Sequence, residues 1–434
     1  MKRFFALLLV VLACVCLFAG GANEQSKSEK VITIWIKKNL SDIQDKLLVE
    51  RFEQIGKEMG VKVNPVIVPT QDLTQKINVS IEAKNTPHIV SLITDTIPMF
   101  QSKGLLVPLD ELVADVEKTY DVNFLDPISA TRIDNQCWAI PYFNCSEVFY
   151  YRTDCLKNAG FDSYPKTWAE FGDYIAKLTN ANPGVYGYGE AFGVCDDIEN
   201  HFNFYLYSND SGLWDVDGKP NFNTPLNIEL TKRFVEYYTS GSVPASAASW
   251  DSSGNNTSYL SGQSAIIWNG GSVYSVFMND DNFKQIRENS VVGPAPVGDS
   301  GVRRQKAAPI SFGLFNFASD EELALSKEIL KRLYDPTWYN EWIMSSIPQG
   351  LPAIDSMEND PIWDDPNYRA FYDGLEGQVQ LGYPCPVTTP AVGVAHSDMV
   401  MAKMLQSIVV KNVKVEDAVA NAQKQLEKIY AEFK

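Results

Sequence analysis

Histidine is scarce in this chain, with three residues in 434. None belongs to an HExxH pair or to a Cys/His cluster with metal-ligand spacing, and neither a CxxC pair nor a GxSxG elbow is present. The GxxxxGK(S/T) phosphate loop and the GxGxxG dinucleotide fingerprint are also missing. These absences exclude the usual signatures of zinc enzymes, P-loop NTPases and dehydrogenases. We therefore expect no metal site, no cofactor and no catalytic residues.

Basic residues are in the minority. The chain has 37 Lys and Arg against 54 Asp and Glu, which gives a formal net charge of -17. Such a surface cannot neutralise phosphates, which excludes nucleic acid as a partner, and an anionic membrane would repel it. Carboxylates are numerous enough for the acid pair of a glycosidase, but no motif marks such a pair.

The N-terminus follows the pattern of a secretory signal peptide. Two basic residues precede an apolar run over residues 4–18, which is shorter than the ~20 residues of a membrane-spanning helix, and small residues follow. We predict a signal peptide over residues 1–22 and a periplasmic or cell-surface location. In an alternative interpretation the stretch VLAC marks Cys14 for lipidation, although the residues after it are apolar.

The predicted mature chain contains an odd number of cysteines, so at least one of them is unpaired in any disulfide scheme. A chain of this length does not need a disulfide to be stable. The sequence leaves the pairing open among Cys137, Cys145, Cys155, Cys195 and Cys385.

Strand-like and helix-like segments alternate from residue 31 onwards. VITIWI predicts a strand, a helix is expected from Ser41 to Gly60, and VKVNPVIV and HIVSLI predict two further strands with a helix between them. This alternation predicts an α/β fold with a parallel sheet. Ligands of such sheets bind beyond the carboxyl ends of the strands. The candidate ligand-binding residues there are Lys37, Asn39, Thr94 and Asp95.

Aromatic rings lie beside small polar residues on several predicted loops. Trp250 precedes the polar stretch DSSGNNTS, Trp268 ends a predicted strand at Asn269 and Gly270, and Tyr383 lies in a turn-rich segment. Flat apolar rings next to amides and carboxylates suit sugars, which present C–H faces and hydroxyl edges. At a glycine the backbone can approach a ligand closely, which favours Trp268 and its neighbours as ligand contacts.

Four motifs occur in the order in which one known family has them. They are WAIPYFNCSEVFYYRTDCLKNAGF with TWAEF after it, SGQSAIIWNGGSVYSVF, PQGLPAIDS, and KQLEKIY near the end. The chain therefore resembles the extracellular solute-binding proteins of ABC importers, in the family-1 group that includes maltose-binding protein. The resemblance covers nearly the whole mature chain.

This resemblance implies an α/β, two-lobed periplasmic-binding-protein fold of type II. Each lobe would be a mainly parallel sheet flanked by helices, with the ligand cleft at the hinge. The implied lobes are residues 30–142 plus 309–352 and residues 143–308 plus 353–434. The chain would cross between them near Ala139–Asn144, Pro309–Phe312 and Leu351–Ala353.

The resemblance also assigns individual site residues by position. Asp95, with Thr94 beside it, stands where maltose-binding protein has a hydroxyl-binding aspartate, and Glu190 matches a cleft glutamate. Further implied cleft positions are Asn39, Phe143, Asn144 and Phe192.

The chain departs from the maltose-binding pattern at two positions. Ser272 stands where maltose-binding protein has a stacking tryptophan, so Trp268 or Trp250 is expected to supply that ring. Cys145 replaces a family glutamate. Both differences argue against maltose itself as the ligand.

The resemblance predicts the solute-binding component of an ABC importer. Such a protein would bind a monosaccharide or an oligosaccharide and deliver it to the permease subunits in the membrane. We expect a monomer without enzymatic activity. One alternative is a binder of a polyol phosphate, a peptide or an osmolyte, and another is a secreted glycosidase, which turnover of chromogenic glycosides would reveal.

Overall fold

The computed structural model describes residues 31–39 and 42–433. The predicted signal peptide over residues 1–22, the alternative lipidation site at Cys14 and the predicted helix start at Ser41 lie outside these residues. In the described ranges, no helix combines the length and the apolar character that crossing a membrane requires.

The strands predicted in the first hundred residues are present. In chain order the described strands are β1 (Val31–Lys37), β2 (Lys62–Val68), β3 (Ile89–Ile93), β4 (Arg132–Ile133), β5 (Gln136–Cys137), β6 (Ile140–Phe143), β7 (Val148–Arg152), β8 (Ile266–Asn269), β9 (Ser290–Gly293) and β10 (Ile310–Leu314). β4 and β5 form a separate two-stranded hairpin.

Helices separate most of these strands. They are α1 (Asp42–Met59), α2 (Thr70–Glu82), α3 (Ile97–Gln101), α4 (Asp110–Tyr120), α5 (Thr153–Asn158), α6 (Trp168–Ala181), α7 (Asp196–Ser208), α8 (Pro225–Thr239), α9 (Gly254–Leu260), α10 (Gly271–Asn279), α11 (Lys284–Glu288), α12 (Asp320–Leu333), α13 (Pro336–Met344), α14 (Pro366–Asp373), α15 (Pro390–Ser397), α16 (Val400–Lys411) and α17 (Val415–Ala431). Local signals explain several ends. Gly60 follows α1 with a φ of 66°, and Thr167 and Glu170 form a capping box at the start of α6.

The first sheet has the strand order β2-β1-β3-β10-β6. β1 pairs in parallel with β2 and β3, as predicted, whereas β10 pairs antiparallel with β3 and β6. In β1 the alternate residues Ile32, Ile34 and Ile36 are fully buried, which explains why this short β-branched run is a strand. The parallel pairing brings residues 37–39 and 94–95 to the same edge of the sheet.

The second sheet has the order β8-β7-β9 and pairs antiparallel, which corrects the expectation of a mainly parallel sheet in this lobe. Around Gly189, isolated parallel bridges extend it beside β8. The physical reason is the entry point of the chain. β7 comes from the first lobe, and Val148 at its start pairs with Asn269 at the end of β8. An alternation of strands and helices does not predict the direction of a strand that enters from another lobe.

The two sheets define two lobes, and hydrogen-bonded segments join them. Asn144, between β6 and β7, donates its backbone N–H to Leu351 O at 2.8 Å, and Leu351 N–H donates to Asn144 O at 2.9 Å. Beside this pair, Glu147 N–H donates to Gln305 Oε1 at 3.0 Å, and Gln305 Nε2 donates to Glu147 O at 2.7 Å. Three chain segments therefore run together at the hinge. The lobe boundaries given above stay a prediction.

Each lobe has its own aromatic core. In the first lobe Tyr142 stacks on Phe312 with ring centroids 4.1 Å apart, and Phe52 meets Phe312 edge-on at 5.6 Å. In the second lobe the rings of Trp168 and Trp268 lie 5.5 Å apart. All five side chains are buried. The largest core cluster of each lobe lies mainly within that lobe, while Leu351 packs with Tyr150 and Trp363 where the chain crosses.

Truncation of Phe312 to alanine tests the first core. We expect Phe312→Ala to lower the free energy of unfolding by about 3–5 kcal/mol, because it removes a buried ring and leaves a cavity. Urea denaturation followed by circular dichroism measures the change. Phe317→Ala is the matched control, since Phe317 is 42% exposed, and it should cost less than about 1 kcal/mol. Equal losses for the two variants would contradict the packing described.

Candidate functional site

The two lobes touch at the edge of the first sheet through a buried ion pair. Asp95, which follows β3, places its Oδ2 3.1 Å from His396 Nδ1 on α15 of the second lobe. Its Oδ1 lies 3.6 Å from Lys306 Nζ, just before β10. Burial by itself raises the pKa of Asp95, but Lys306 and His396 together outweigh burial and bring that pKa well below its usual value. Asp95 is therefore an anion that links the lobes.

A cavity of about 60 Å³ opens at the same edge of the sheet. It is formed by the ends of β1 and β6, by β10, by the first crossing and by the turn after α13. Its lining residues are Lys37, Asn39, Gln44, Phe143, Cys145, Ile310 and Gln349. The structure thus brings three predicted site residues together, namely Lys37, Asn39 and Phe143.

The polar lining of this cavity is only partly hydrogen-bonded. Asn39 is 6% exposed, and neither its Nδ2 nor its Oδ1 forms a well-aligned hydrogen bond with a described residue. Oε1 of Gln349 is buried and lacks a partner as well. The backbone N–H of Asn39 donates to Asp45 Oδ1 at 3.0 Å, which positions the end of β1. Burying a polar group without a partner costs about 1–3 kcal/mol, so these amides suit a polar ligand.

The cysteines are present as thiols. The five cysteines among the described residues are free, so none of the pairings left open by the sequence occurs. Burial raises the pKa of Cys145 to about 11, although the charge of Lys37 opposes this shift, and the group facing the cavity is therefore a neutral thiol at pH 7. The part of the chain that the structure covers contains no group of three or more side chains suited to holding a metal ion.

A buried histidine organises the second lobe near the hinge. His201 on α7 is 1% exposed, with Nδ1 2.9 Å from Glu190 Oε2 and Nε2 2.9 Å from Glu147 Oε2. Its ring stacks on Trp268 at 4.7 Å, and Tyr188 donates its hydroxyl to Glu190 Oε2 at 2.5 Å. Burial by itself lowers the pKa of His201, but the two glutamates raise it well above its ordinary value. At neutral pH His201 is charged and ties the first crossing to the second-lobe core.

Three residues predicted to contact ligand support this core instead. Phe192 is fully buried and packs on Phe234 at 5.8 Å, and Trp268 is fully buried beneath His201. Glu190 is equally buried in its pair with His201. The structure therefore does not bring these three to the cavity. Their side chains lie on the helix-covered face of the second sheet. A position near the end of a predicted strand does not indicate which face of the sheet a side chain will occupy.

Two further predicted residues hold the crossings. Thr94 donates its hydroxyl to Ala307 O at 3.3 Å, and Asn144 donates its Nδ2 to Pro352 O at 2.8 Å. Both are buried. Asn144 is thus part of the hinge and does not face the cavity.

The remaining candidates lie in the second lobe, away from the cavity. Asn269 donates to Asn255 Oδ1 at 3.2 Å, and Gly270 O accepts a hydrogen bond from Tyr150 at 2.6 Å. The close backbone approach predicted here occurs one residue later, where a Cβ on Gly271 would collide with Pro348 O. The last two predicted ligand contacts are aromatic residues. Trp250 packs on the second-lobe core, and the ring centroid of Tyr383 lies 4.9 Å from the guanidinium carbon of Arg304.

Sequence reasoning did not identify Gln349, Gln44, His201 or His396 as functional candidates. Gln349 lies within the PQGLPA motif, and that motif is the one signal that could have indicated it. The histidines match no short motif, because each has a partner that is distant in the sequence: His201 pairs with Glu147 as well as with Glu190, and His396 pairs with Asp95.

The His201 cluster predicts how stability depends on pH. Because its folded-state pKa is raised, the stabilisation by His201 is complete below the ordinary value of 6.5 and is lost as pH rises through the folded-state value. Glu147→Gln removes one of the two charges that raise this pKa, so the loss should be complete at lower pH and smaller in total than in the wild type. Urea midpoints measured from about pH 6 to about pH 10 would show the displacement.

The control for this experiment is Glu53→Gln, which neutralises an exposed glutamate of α1. It should leave the pH profile of the wild-type protein unchanged. Superimposable profiles for the wild type and Glu147→Gln would contradict the assignment of a charge to His201.

Comparison with known proteins relates this chain to a protein family. Residues 40–338 match the family model of the bacterial extracellular solute-binding proteins. The mannitol-binding protein of Pseudomonas aeruginosa is 21% identical over 358 residues, which are 79% of this chain and 78% of that protein.

Solved structures show the same two-lobed fold. The sugar-binding protein MalE of Xanthomonas citri has a TM-score of 0.78 at 19% identity and covers 93% of this chain and 98% of its own. UgpB of Mycobacterium tuberculosis, in complex with glycerophosphocholine, has a TM-score of 0.72 at 17% identity and covers 93% of this chain and 99% of its own. At these identities the likeness shows the fold and leaves the ligand undetermined.

The family match spans well over half of the chain, and the two-lobed fold agrees with it. The resemblance inferred from the four motifs is therefore confirmed. Members of this family are extracellular binding components of transporters, in agreement with the export signal predicted at the N-terminus. This chain belongs to the bacterial extracellular solute-binding proteins.

Proposed function

We propose that this protein binds a small carbohydrate, or a closely related polyhydroxylated solute, between its lobes and delivers it to the membrane subunits of an ABC importer. The observation that supports this proposal is the pair of amides at the cavity. Asn39 and Gln349 present buried polar atoms that form no well-aligned hydrogen bond with a described residue, and they approach from two different segments of the chain.

Hydroxyl groups match these amides chemically. A hydroxyl donates one hydrogen bond and accepts others, so it can satisfy both the Nδ2 donor of Asn39 and the Oε1 acceptor of Gln349. The nearly buried ring of Phe143 adds an apolar surface to the same cavity, on which the C–H face of a sugar or a polyol can pack.

The names of similar proteins support the same class of solute. They include a mannitol-binding protein, a sugar-binding protein and a protein bound to glycerophosphocholine, which is a phosphate ester of a polyol. Hydroxyl groups on a short carbon skeleton are common to these ligands. A polyol phosphate therefore stays in the proposal as a second candidate.

Lobe closure would couple binding to delivery. The Asp95–His396 pair and the contact of Gly271 with Pro348 show that the lobes approach each other closely at the hinge side. A solute that contacts both lobes shifts the population toward the closed form, in proportion to its differential affinity for that form. The permease would then recognise the closed arrangement.

The cavity chemistry favours binding over bond cleavage. A glycosidase needs two carboxyl groups that flank the scissile bond. Among the described residues that line the cavity, the polar groups are two glutamines, one asparagine, one lysine and one thiol. Incubation with a chromogenic glycoside panel should therefore give no product.

Removal of the Asn39 amide tests the proposal. The purified mature protein should show a raised melting temperature with at least one sugar or polyol from a panel of monosaccharides, disaccharides and alditols, because a bound ligand stabilises the native state. For that ligand, Asn39→Ala should weaken binding about tenfold in isothermal titration calorimetry, the equivalent of about 1.4 kcal/mol.

Asn85→Ala is the matched control, since Asn85 is exposed and lies between α2 and β3. It should bind the ligand as the wild type does. Unchanged affinity in Asn39→Ala, or a panel in which no solute stabilises the protein, would contradict the proposed site.

A further inference from the structure

Lys37 carries a cationic group into the cavity without a charged partner there. It is the last residue of β1 and lines the cavity beside Asn39 and Cys145. Its ammonium makes no salt bridge and no hydrogen bond with any residue that the structure describes. The next residue differs in this respect, because Lys38 is 51% exposed and its Nζ lies 2.8 Å from Asp42 Oδ1.

The described groups around Lys37 influence its ammonium without forming an ion pair with it. Cys145 is a protonated thiol at neutral pH, as its raised pKa indicates. The nearby carboxylate of Asp45 is engaged by the backbone N–H of Asn39, at 3.0 Å from Oδ1 and 3.3 Å from Oδ2. Burial lowers the pKa of Lys37, while Cys145 and Asp45 oppose this effect. Lys37 is half-buried, and an anion in the cavity would gain a charge-assisted contact with its ammonium.

The cavity has room for a ligand group beside this ammonium. Its volume of about 60 Å³ exceeds the ~10–15 Å³ that one water molecule needs by the same measure. The cavity can therefore hold a terminal group of a few heavy atoms next to Lys37. Asn39 lines the same space, and its Nδ2, which forms no well-aligned hydrogen bond with a described residue, can donate to an oxygen of that group.

We propose that the solute of this protein carries an anionic terminal group, a carboxylate or a phosphate, that enters the cavity and pairs with Lys37 and Asn39. This inference rests on the proposed function and narrows its ligand to acidic sugars, acidic polyols or their phosphate esters. Carboxylate and phosphate share the chemistry that the cavity recognises, namely oxygens that accept charge-assisted hydrogen bonds.

Matched solutes distinguish this ligand class from neutral sugars. Glucose, glucuronate and glucose 6-phosphate form one set, and glycerol and glycerol 3-phosphate form another. The acidic member of at least one set should bind the wild-type protein about tenfold or more tightly than its neutral counterpart, and added salt should reduce this preference. The acidic group that gives the tighter binding, carboxylate or phosphate, identifies the anion.

Lys37→Met should abolish the preference, while Lys37→Arg should keep part of it. Lys38→Met is the matched control and should behave as the wild type, because Lys38 is exposed and paired on the surface. The ligand-free melting temperature of Lys37→Met should be equal to or above that of the wild type, since the substitution removes a half-buried charge that has no ion-pair partner among the described residues and keeps an apolar stem of similar length. That measurement also shows that the variant is folded.

The outcomes separate this inference from the proposed function. If neutral sugars bind as tightly as acidic ones, and Lys37→Met binds both unchanged, the anionic group is wrong and the carbohydrate proposal stands. Inorganic phosphate tests the anion site without an organic solute. If no organic solute binds but phosphate stabilises the wild type and not Lys37→Met, the anion site stands and the carbohydrate proposal fails. If neither phosphate nor any solute binds to or stabilises the protein, both the anion site and the carbohydrate proposal are wrong.

Discussion

The hydrogen-bonded hinge is the constraint on which the rest of the structure depends. Asn144 and Leu351 exchange backbone hydrogen bonds, and Glu147 and Gln305 join their backbone and side-chain groups beside them. These bonds hold three chain segments together where β6 leads into β7. They also place the ends of β1 and β6 and the turn containing Gln349 around one cavity. The hinge and the Asp95–His396 pair together set how the lobes meet.

Buried charge is distributed around this hinge in a consistent way. Asp95 is paired with His396 and Lys306, and His201 is paired with Glu190 and Glu147. In both clusters the protein supplies the opposite charge itself, which is what burial requires. Lys37 is the exception among the residues of the cavity, because no described residue forms an ion pair with its ammonium. This contrast distinguishes groups that stabilise the fold from a group that is available to a solute.

Part of the candidate site could be predicted because it depends on one strand and its end. The buried alternation of β1 predicts where that strand stops, and the parallel pairing with β3 then brings residues 37–39 and 94–95 to one edge. Lys37 and Asn39 do line the cavity there. Phe192 and Trp268 could not be assigned in this way, because a ring near a strand end packs equally well into a core or onto a ligand, and helices cover their side of the second sheet.

The sequence by itself determined the class of the protein. The predicted export signal, the α/β alternation and the four ordered motifs are local patterns, and local patterns can be recognised without a structure. Tertiary structure alone decided the antiparallel direction of the second sheet, the pairing of His201 with Glu147 and of His396 with Asp95, and the arrival of Gln349 beside Asn39. The physical reason is sequence separation. These contacts join residues from distant segments, and only the folded hinge brings them within hydrogen-bonding distance.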